Sequence, residues 1–178
     1  MIEGFKIPKV TFRIRTGDEV ETDGGCAIGG EWHNATTDSY FKNKRVVIFS
    51  LPGAFTPTCS TYQLPDFERL FPEFMKIGFD QVLCIAVNDA FVMNSWGAAN
   101  NMSHVRLLPD GSATFTRMMG MLVLKDNLGL GPRSWRYAAD ITNMVINKWF
   151  EEPGRSDNCR DDPYEVSSPQ NILKALTA

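Results

Sequence analysis

RVVIFSLPGAFTPTCSTYQLP, residues 45–65, is the stretch on which the fold of this chain turns. Val46 to Leu51 are apolar or β-branched enough for a buried strand, and Pro52, Gly53 and Pro57 break it sharply. Beyond them Tyr62, Phe67, Leu70, Phe71, Phe74 and Met75 recur at roughly helical spacing, which predicts a helix over residues 59–77 with Cys59 in its first turn. The positive end of a helix favours an anion. Free N–H groups there, joined by a nearby cation, bring a cysteine pKa from about 8.5 into a range of about 3.5–7.5, where the nucleophilic thiolate is abundant at neutral pH. An isolated intracellular cysteine is more often a small buried hydrophobe, so it is the loop around Cys59 that singles it out. Pro65 falls inside the predicted helix, where its missing N–H and its ring predict a kink or a boundary between two shorter helices.

Outward from this stretch the chain alternates strand and helix. Residues 10–15 read as a strand, and Asp23-Gly24-Gly25 with Gly29-Gly30 mark turns in a loose segment carrying an incidental Cys26. Strands are predicted at 45–51, 81–88 and 105–108, a short helix at 91–100 and a helical turn at 113–118. Pro109-Asp110-Gly111 is a turn, and 135–141 with 144–150 form an antiparallel hairpin. A last helix is predicted over 169–176, with Ser168 as its cap and Pro169 in its first turn.

At 178 residues, 43% hydrophobic and 22% charged, the chain has the size of one globular domain, 1–178, with a substantial core. Its net charge of −3 and its lack of any basic run argue against nucleic-acid and anionic-membrane surfaces. The N-terminal MIEGFKIPKVTFRIR lacks the apolar core of a secretory signal, and no stretch is long enough to cross a bilayer, so a cytoplasmic location is expected. Cys26, Cys59, Cys84 and Cys159 are scattered as reduced thiols would be, without disulfide-scaffold density. The absence of any Cys-x-x-Cys argues against a structural zinc site and an ordinary dithiol oxidoreductase. His33 and His104 stand at no metal-ligand spacing and read as solvated or structural; no metal or cofactor is expected.

Pro52-Gly-Ala-Phe-Thr56-Pro-Thr-Cys59 contains Pro-x-x-x-Thr-x-x-Cys and resembles the active-site signature of the peroxiredoxins, with wording similar to the five-type (plant type II) subfamily. The likeness continues through LCIAVNDAFVMNSW at 83–96, MGMLV at 119–123 and GPRSWRY at 131–137, so it spans nearly the whole chain in order. It implies an α/β fold of thioredoxin type, with a central mixed sheet flanked by helices. It implies also a thiol-dependent peroxidase that reduces hydrogen peroxide and alkyl hydroperoxides and acts as a homodimer.

On this resemblance Cys59 is the nucleophile and Thr56 orients sulfur and peroxide. Pro52 shields the site, and Arg136, just before Tyr137, supplies the cation; Arg133 is the weaker choice, suited to local pairing or a dimer edge. Gln63 stands where the family commonly carries histidine, which puts any role of that imidazole in doubt. Attack on a peroxide needs donors and a cation placed where negative charge develops on the leaving oxygen. The resulting sulfenic acid then needs a thiol.

Cys84, in a strand that looks buried, matches a position used for resolution in some proposals. Cys159, in the polar loop GRSDNCRDDP, lies short of the usual C-terminal resolving position near Glu165 or Val166. Glutathione, glutaredoxin or thioredoxin therefore stands as external reductant, the glutathione/glutaredoxin route being favoured because SWRY with PYEVSS looks like prokaryotic members fused to glutaredoxin. A peroxide-sensing redox relay or binding protein using the same cysteine, and a holdase-type interaction protein, are the alternatives.

Overall fold

The computed structural model describes residues 2–21 and 27–178. In chain order, β1 (Thr11–Glu21) and β2 (Ala27–Thr36) form an antiparallel hairpin, followed by the short helix α1 (Thr37–Phe41) and β3 (Arg45–Leu51). A π-helical turn (Cys59–Gln63) leads into α2 (Leu64–Lys76), then come β4 (Gln81–Ala86), α3 (Ala90–Ala99), β5 (Arg106–Pro109) and α4 (Thr114–Met118). Short strands β6 (Leu122–Leu124) and β7 (Pro132–Ser134) pair with each other, β8 (Tyr137–Thr142) and β9 (Val145–Glu151) make the second long hairpin, and α5 (Pro169–Thr177) closes the chain.

The central sheet has the order β5-β4-β3-β8-β9, with β3, β4 and β5 parallel and β8 and β9 antiparallel: the mixed sheet flanked by helices that the sequence implied. Successive side chains of a strand point to opposite faces. Accordingly Val46 and Ile48 of β3 join a core with Phe12, Phe41, Phe115 and Ile141, whereas Val47, Phe49 and Leu51 face Leu64, Phe67, Trp96 and Ile172 on the other side. Burial on both faces is why β3 reads as a continuous apolar run rather than an alternating one. Phe49 stacks on Phe67 at 3.8 Å between ring centroids, and Phe67 on Phe74 at 5.9 Å, so α2 is fastened to the sheet by rings at helical spacing.

The sequence missed β2, α1, β6 and β7. In β2 the glycines that read as turn signals, Gly29 and Gly30, sit inside a paired strand with positive φ, opposite a register shift between Thr16 and Glu19 of β1, where Gly17 also has positive φ. Glycine in a strand interior marks a bulge as readily as a turn. Cys26 and the turn at 23–25 lie outside the described residues. Pro65 neither ends the helix nor divides it, since helical residues run from 57 to 76. Instead Leu64 N–H donates to the Cys59 carbonyl, five residues back, and this widened turn takes up the proline's bulk and missing donor.

Ser168 caps α5 as expected, its hydroxyl accepting from Asn171 N–H at 3.3 Å. Among the described residues no helix is long and apolar enough to cross a membrane, and no group of three or more His, Cys, Asp or Glu side chains gathers as a metal site would need.

His104 is structural. Glu68 on α2 accepts from the N–H groups of Ser103, His104 and Val105 at 2.8–3.2 Å and pairs with His104 Nδ1 at 2.7 Å. Burial acts to raise the Glu68 carboxyl, but the Val105 N–H, the His104 ring and the remaining donors outweigh it and hold it below its ordinary value. A depressed carboxyl contributes stability that is present above its unfolded pKa and lost as pH falls through its folded one. Glu68→Ala should therefore cost about 1–2 kcal/mol near neutrality after allowance for partial exposure, roughly 2–8 °C in Tm. Thermal melts of both proteins should converge in acid, where the wild-type anion is itself lost.

Candidate active site

Parallel pairing of β3 with β4 brings the loops after both strands to the same end of the sheet, and antiparallel β8 begins there. Ser50 pairs with Tyr137, so Arg136 arrives beside the turn that leaves β3 at Leu51.

The loop of residues 52–58 is held from several sides. Ala54 N–H donates to Asn88 Oδ1 at 2.9 Å, and Thr56 Oγ1 donates to the Gly53 carbonyl at 2.8 Å. Arg133 packs over it, donating through Nη1 to the Val87 carbonyl at 3.2 Å and through Nε to Leu130 at 3.0 Å. A Cβ on Gly53 would stand 2.7 Å from Arg133 Nη1, so only glycine lets the guanidinium lie so close to the backbone. Between the two hydrogen-bonded residues Phe55 takes φ +60 with its ring exposed, a strained backbone for a bulky residue that persists because both neighbours are fixed. Ser60 N–H donates to the Thr56 carbonyl at 3.0 Å, opening the helix, and Trp96 Nε1 donates to Ser60 Oγ at 2.9 Å.

Cys59 follows, fully buried in the first turn of that helix. Pro57 has no N–H, and those of Thr58 and Cys59 precede the first intrahelical donor, leaving them free to face an anion. Arg136, 1% exposed, directs Nη1 to Cys59 Sγ at 3.5 Å. The same nitrogen donates to Gln63 Oε1, and Nη2 pairs with Asp162 Oδ1. Burial acts to lower the Arg136 pKa, but the charges of Cys59 and Asp162 and their hydrogen bonds outweigh it and raise it, so the guanidinium stays charged in the interior.

Thus Pro52, Thr56, Cys59 and Arg136, singled out in the sequence, lie around one end of the sheet, Pro52 buried and Thr56 half-buried. Arg136 belongs to no solvated strand, and Arg133 turns out to be a local clamp.

Cys84 is fully buried in β4 opposite Phe49 and shares the apolar cluster of Cys59. Burial, with the charge of Cys59, pushes its thiol well up, against the opposing pull of Arg136. The loop of Cys159 is not the free segment its polar composition suggests. Asn158 N–H donates to Leu124, Leu124 N–H to Asp157 Oδ1, and Lys125 Nζ to the Cys159 carbonyl at 2.9 Å. These bonds place Cys159 on a cavity of about 300 Å³ whose wall also includes Pro52, Phe55, Thr56, Leu128 and Asp162.

Sequence reasoning missed Asn88, Trp96 and Asp162. Asn88 and Trp96 do lie in the 83–96 stretch, but nothing in their spacing announces a loop clamp. Asp162 sits in a loop without periodicity. Gln63, one helical turn after Cys59, entered the sequence reading only as the position where the family commonly carries histidine, with no role of its own.

The redoxin family model matches residues 4–165. A peroxiredoxin of Rhizobium etli is 60% identical over 97% of this chain and 95% of its own length. A hybrid peroxiredoxin, hyPrx5, of Haemophilus influenzae is 46% identical over 98% of this chain and 66% of its own length. The crystal structure of a Plasmodium falciparum antioxidant protein (1-Cys peroxiredoxin) superposes with a TM-score of 0.89 at 35% identity, covering 98% of this chain and 99% of that one. With a thioredoxin-like mixed sheet and a buried cysteine facing an arginine, the chain belongs to the redoxin family and, within it, to the peroxiredoxins. It is a thiol peroxidase, reducing peroxide through a cysteine.

Gly53→Ala should displace the Arg133 guanidinium and slow peroxide consumption by up to about tenfold, the scale of one charge-assisted hydrogen bond. Arg133→Ala should do the same, and the double variant should be no slower than either single one, because both act on one contact. Additive losses in steady-state assays would contradict this coupling.

Proposed function

We propose that Cys59 is the peroxidatic cysteine, positioned and charge-stabilised by Arg136, with Thr56 and Pro52 completing the peroxide site of a single domain, 1–178. The observation that carries this reading is the buried Arg136 Nη1 at 3.5 Å from Cys59 Sγ, at the free N–H end of a helix. The Thr56 hydroxyl gives its hydrogen to Gly53, so its lone pairs remain to accept from the O–H of a bound peroxide. Sγ attacks the near peroxide oxygen, the S–O bond forms as the O–O bond breaks, and the departing hydroxide or alkoxide takes a proton. Arg136 and the helix-start N–H groups meet the charge that develops on the leaving oxygen. Pro52 occupies space that water would otherwise enter. Pro52, Phe55, Pro57, Leu128 and Leu130 give the cavity wall enough apolar surface for an alkyl hydroperoxide as well as for hydrogen peroxide.

The sulfenic acid is then reduced by an external thiol. One thiol condenses with it to a mixed disulfide and water, and a second releases Cys59 as its thiol with a disulfide as product. We favour glutathione with glutaredoxin over thioredoxin because of the likeness to the hybrid peroxiredoxin. Cys84 suits a core position better than a resolving one: its raised pKa keeps it a neutral thiol, and the attacking species is the thiolate. A cytoplasmic homodimer is the setting that the family likeness favours.

Cys59→Ser should abolish peroxide consumption with the fold intact, because a serine hydroxyl is far less ionised and less nucleophilic. Thr56→Val and Arg136→Met should each slow the attack step, and Arg136→Met should also move the pH profile of the rate to more alkaline values. Near-native turnover by Cys59→Ser would exclude that residue. Non-reducing mass mapping after peroxide should find sulfenic acid or a glutathione adduct on Cys59, with Cys159→Ser and Cys84→Ser keeping most activity. A stoichiometric Cys59–Cys159 or Cys59–Cys84 bridge, with activity lost when the partner is removed, would sink the external-thiol reading.

A further inference from the structure

The guanidinium of Arg136 is held by two acceptors from segments distant from its own. Gln63, fully buried, comes from the end of the π turn that Cys59 begins, and takes a hydrogen bond from the same Nη1 that reaches the sulfur. Asp162 comes from the loop between β9 and α5, and pairs with Nη2. That loop is firmly based. Buried Glu152 accepts through Oε1 from Glu165 N–H, Ser167 N–H and Ser167 Oγ, each at 2.8 Å, and its own carbonyl accepts from Trp135 Nε1. Tyr164 donates to Asp66 Oδ2 at 3.3 Å, and its ring lies 5.7 Å from the Arg136 guanidinium carbon.

Resting on the reading of Cys59 as the peroxidatic residue, we propose that Gln63 and Asp162 are positioning residues for peroxide reduction, acting through Arg136. A guanidinium on a flexible stem points Nη1 at the sulfur only if its plane is fixed, and hydrogen bonds to two different nitrogens fix that plane. The two acceptors differ in charge. Gln63 orients without adding an anion. Asp162 orients and also shares the cation with the thiolate, so it tempers the charge that Cys59 experiences. The other titratable groups near the pair are Cys84 in β4, Asp66 on α2, Tyr164, and Glu152 at the foot of the loop, and none of them is altered by the variants below.

The test is single-turnover stopped-flow oxidation of the pre-reduced protein by hydrogen peroxide across pH. Gln63→Leu and Asp162→Ala each remove an acceptor, and each should lower the second-order rate by about tenfold or more. Asp162→Asn keeps an acceptor oxygen and deletes the charge, so it should restore most of the rate while its pH profile moves to more acidic values. A purely structural role would lower the melting temperature without moving that profile. Wild-type rates and profiles in both Gln63→Leu and Asp162→Ala would overturn the proposal, as would failure of Asp162→Asn to recover rate over Asp162→Ala. If Asp162→Ala does not fold, Gln63→Leu and Asp162→Asn decide alone, by the same criteria. No reductant enters the measurement, and a wild-type protein inert to peroxide at Cys59 would instead count against the peroxidatic assignment.

Discussion

A guanidinium with 1% exposure cannot sit uncompensated in a protein interior, and much of this molecule answers that constraint. Arg136 brings a positive charge below the surface, and Cys59, Gln63 and Asp162 supply its partners from two other stretches of chain. Its main chain is tied too, the carbonyl accepting from Glu152 N–H at 3.2 Å. Sheet register delivers Arg136, the π turn delivers Cys59 and Gln63 together, and the β9–α5 loop delivers Asp162. Structure and chemistry meet at one cation.

The π turn shows how local sequence conflict is put to use. A proline inside the helix at Pro65 would clash with the carbonyl one turn back in regular α geometry. The widened turn from Cys59 avoids that clash, and it sits where sulfur and amide must both reach the arginine. π bulges inside α-helices occur frequently at functional sites.

Much of this is legible in the sequence itself. The apolar run of β3, the breakers after it and the helical spacing of Phe67, Phe71 and Phe74 specify strand, loop and helix by local physics alone. The likeness to peroxiredoxins singled out Pro52, Thr56 and Cys59 in residues 52–59 and Arg136 in residues 131–137. What stayed hidden depends on tertiary placement. Glycines in β2 signal turn and bulge alike, so the hairpin was read as loose chain. The Cys159 loop looks free in composition, yet Lys125, Leu124 and Asp157 tie it down across long sequence separations. Asp162 has no periodicity, and no sequence rule pairs it with an arginine 26 positions earlier.

If Cys59 is the peroxidatic residue, as proposed, its complete burial sorts its reactants by size. On the proposed reading a hydroperoxide brings only a two-atom head to the buried sulfur, whereas a tripeptide thiol or a glutaredoxin surface would need the sulfur brought outward. On that reading oxidation would proceed on the closed enzyme, while reduction would wait on a local opening of the first helical turn. The two halves of the cycle answer to different clocks: the first to peroxide concentration, the second to how often that turn lets go.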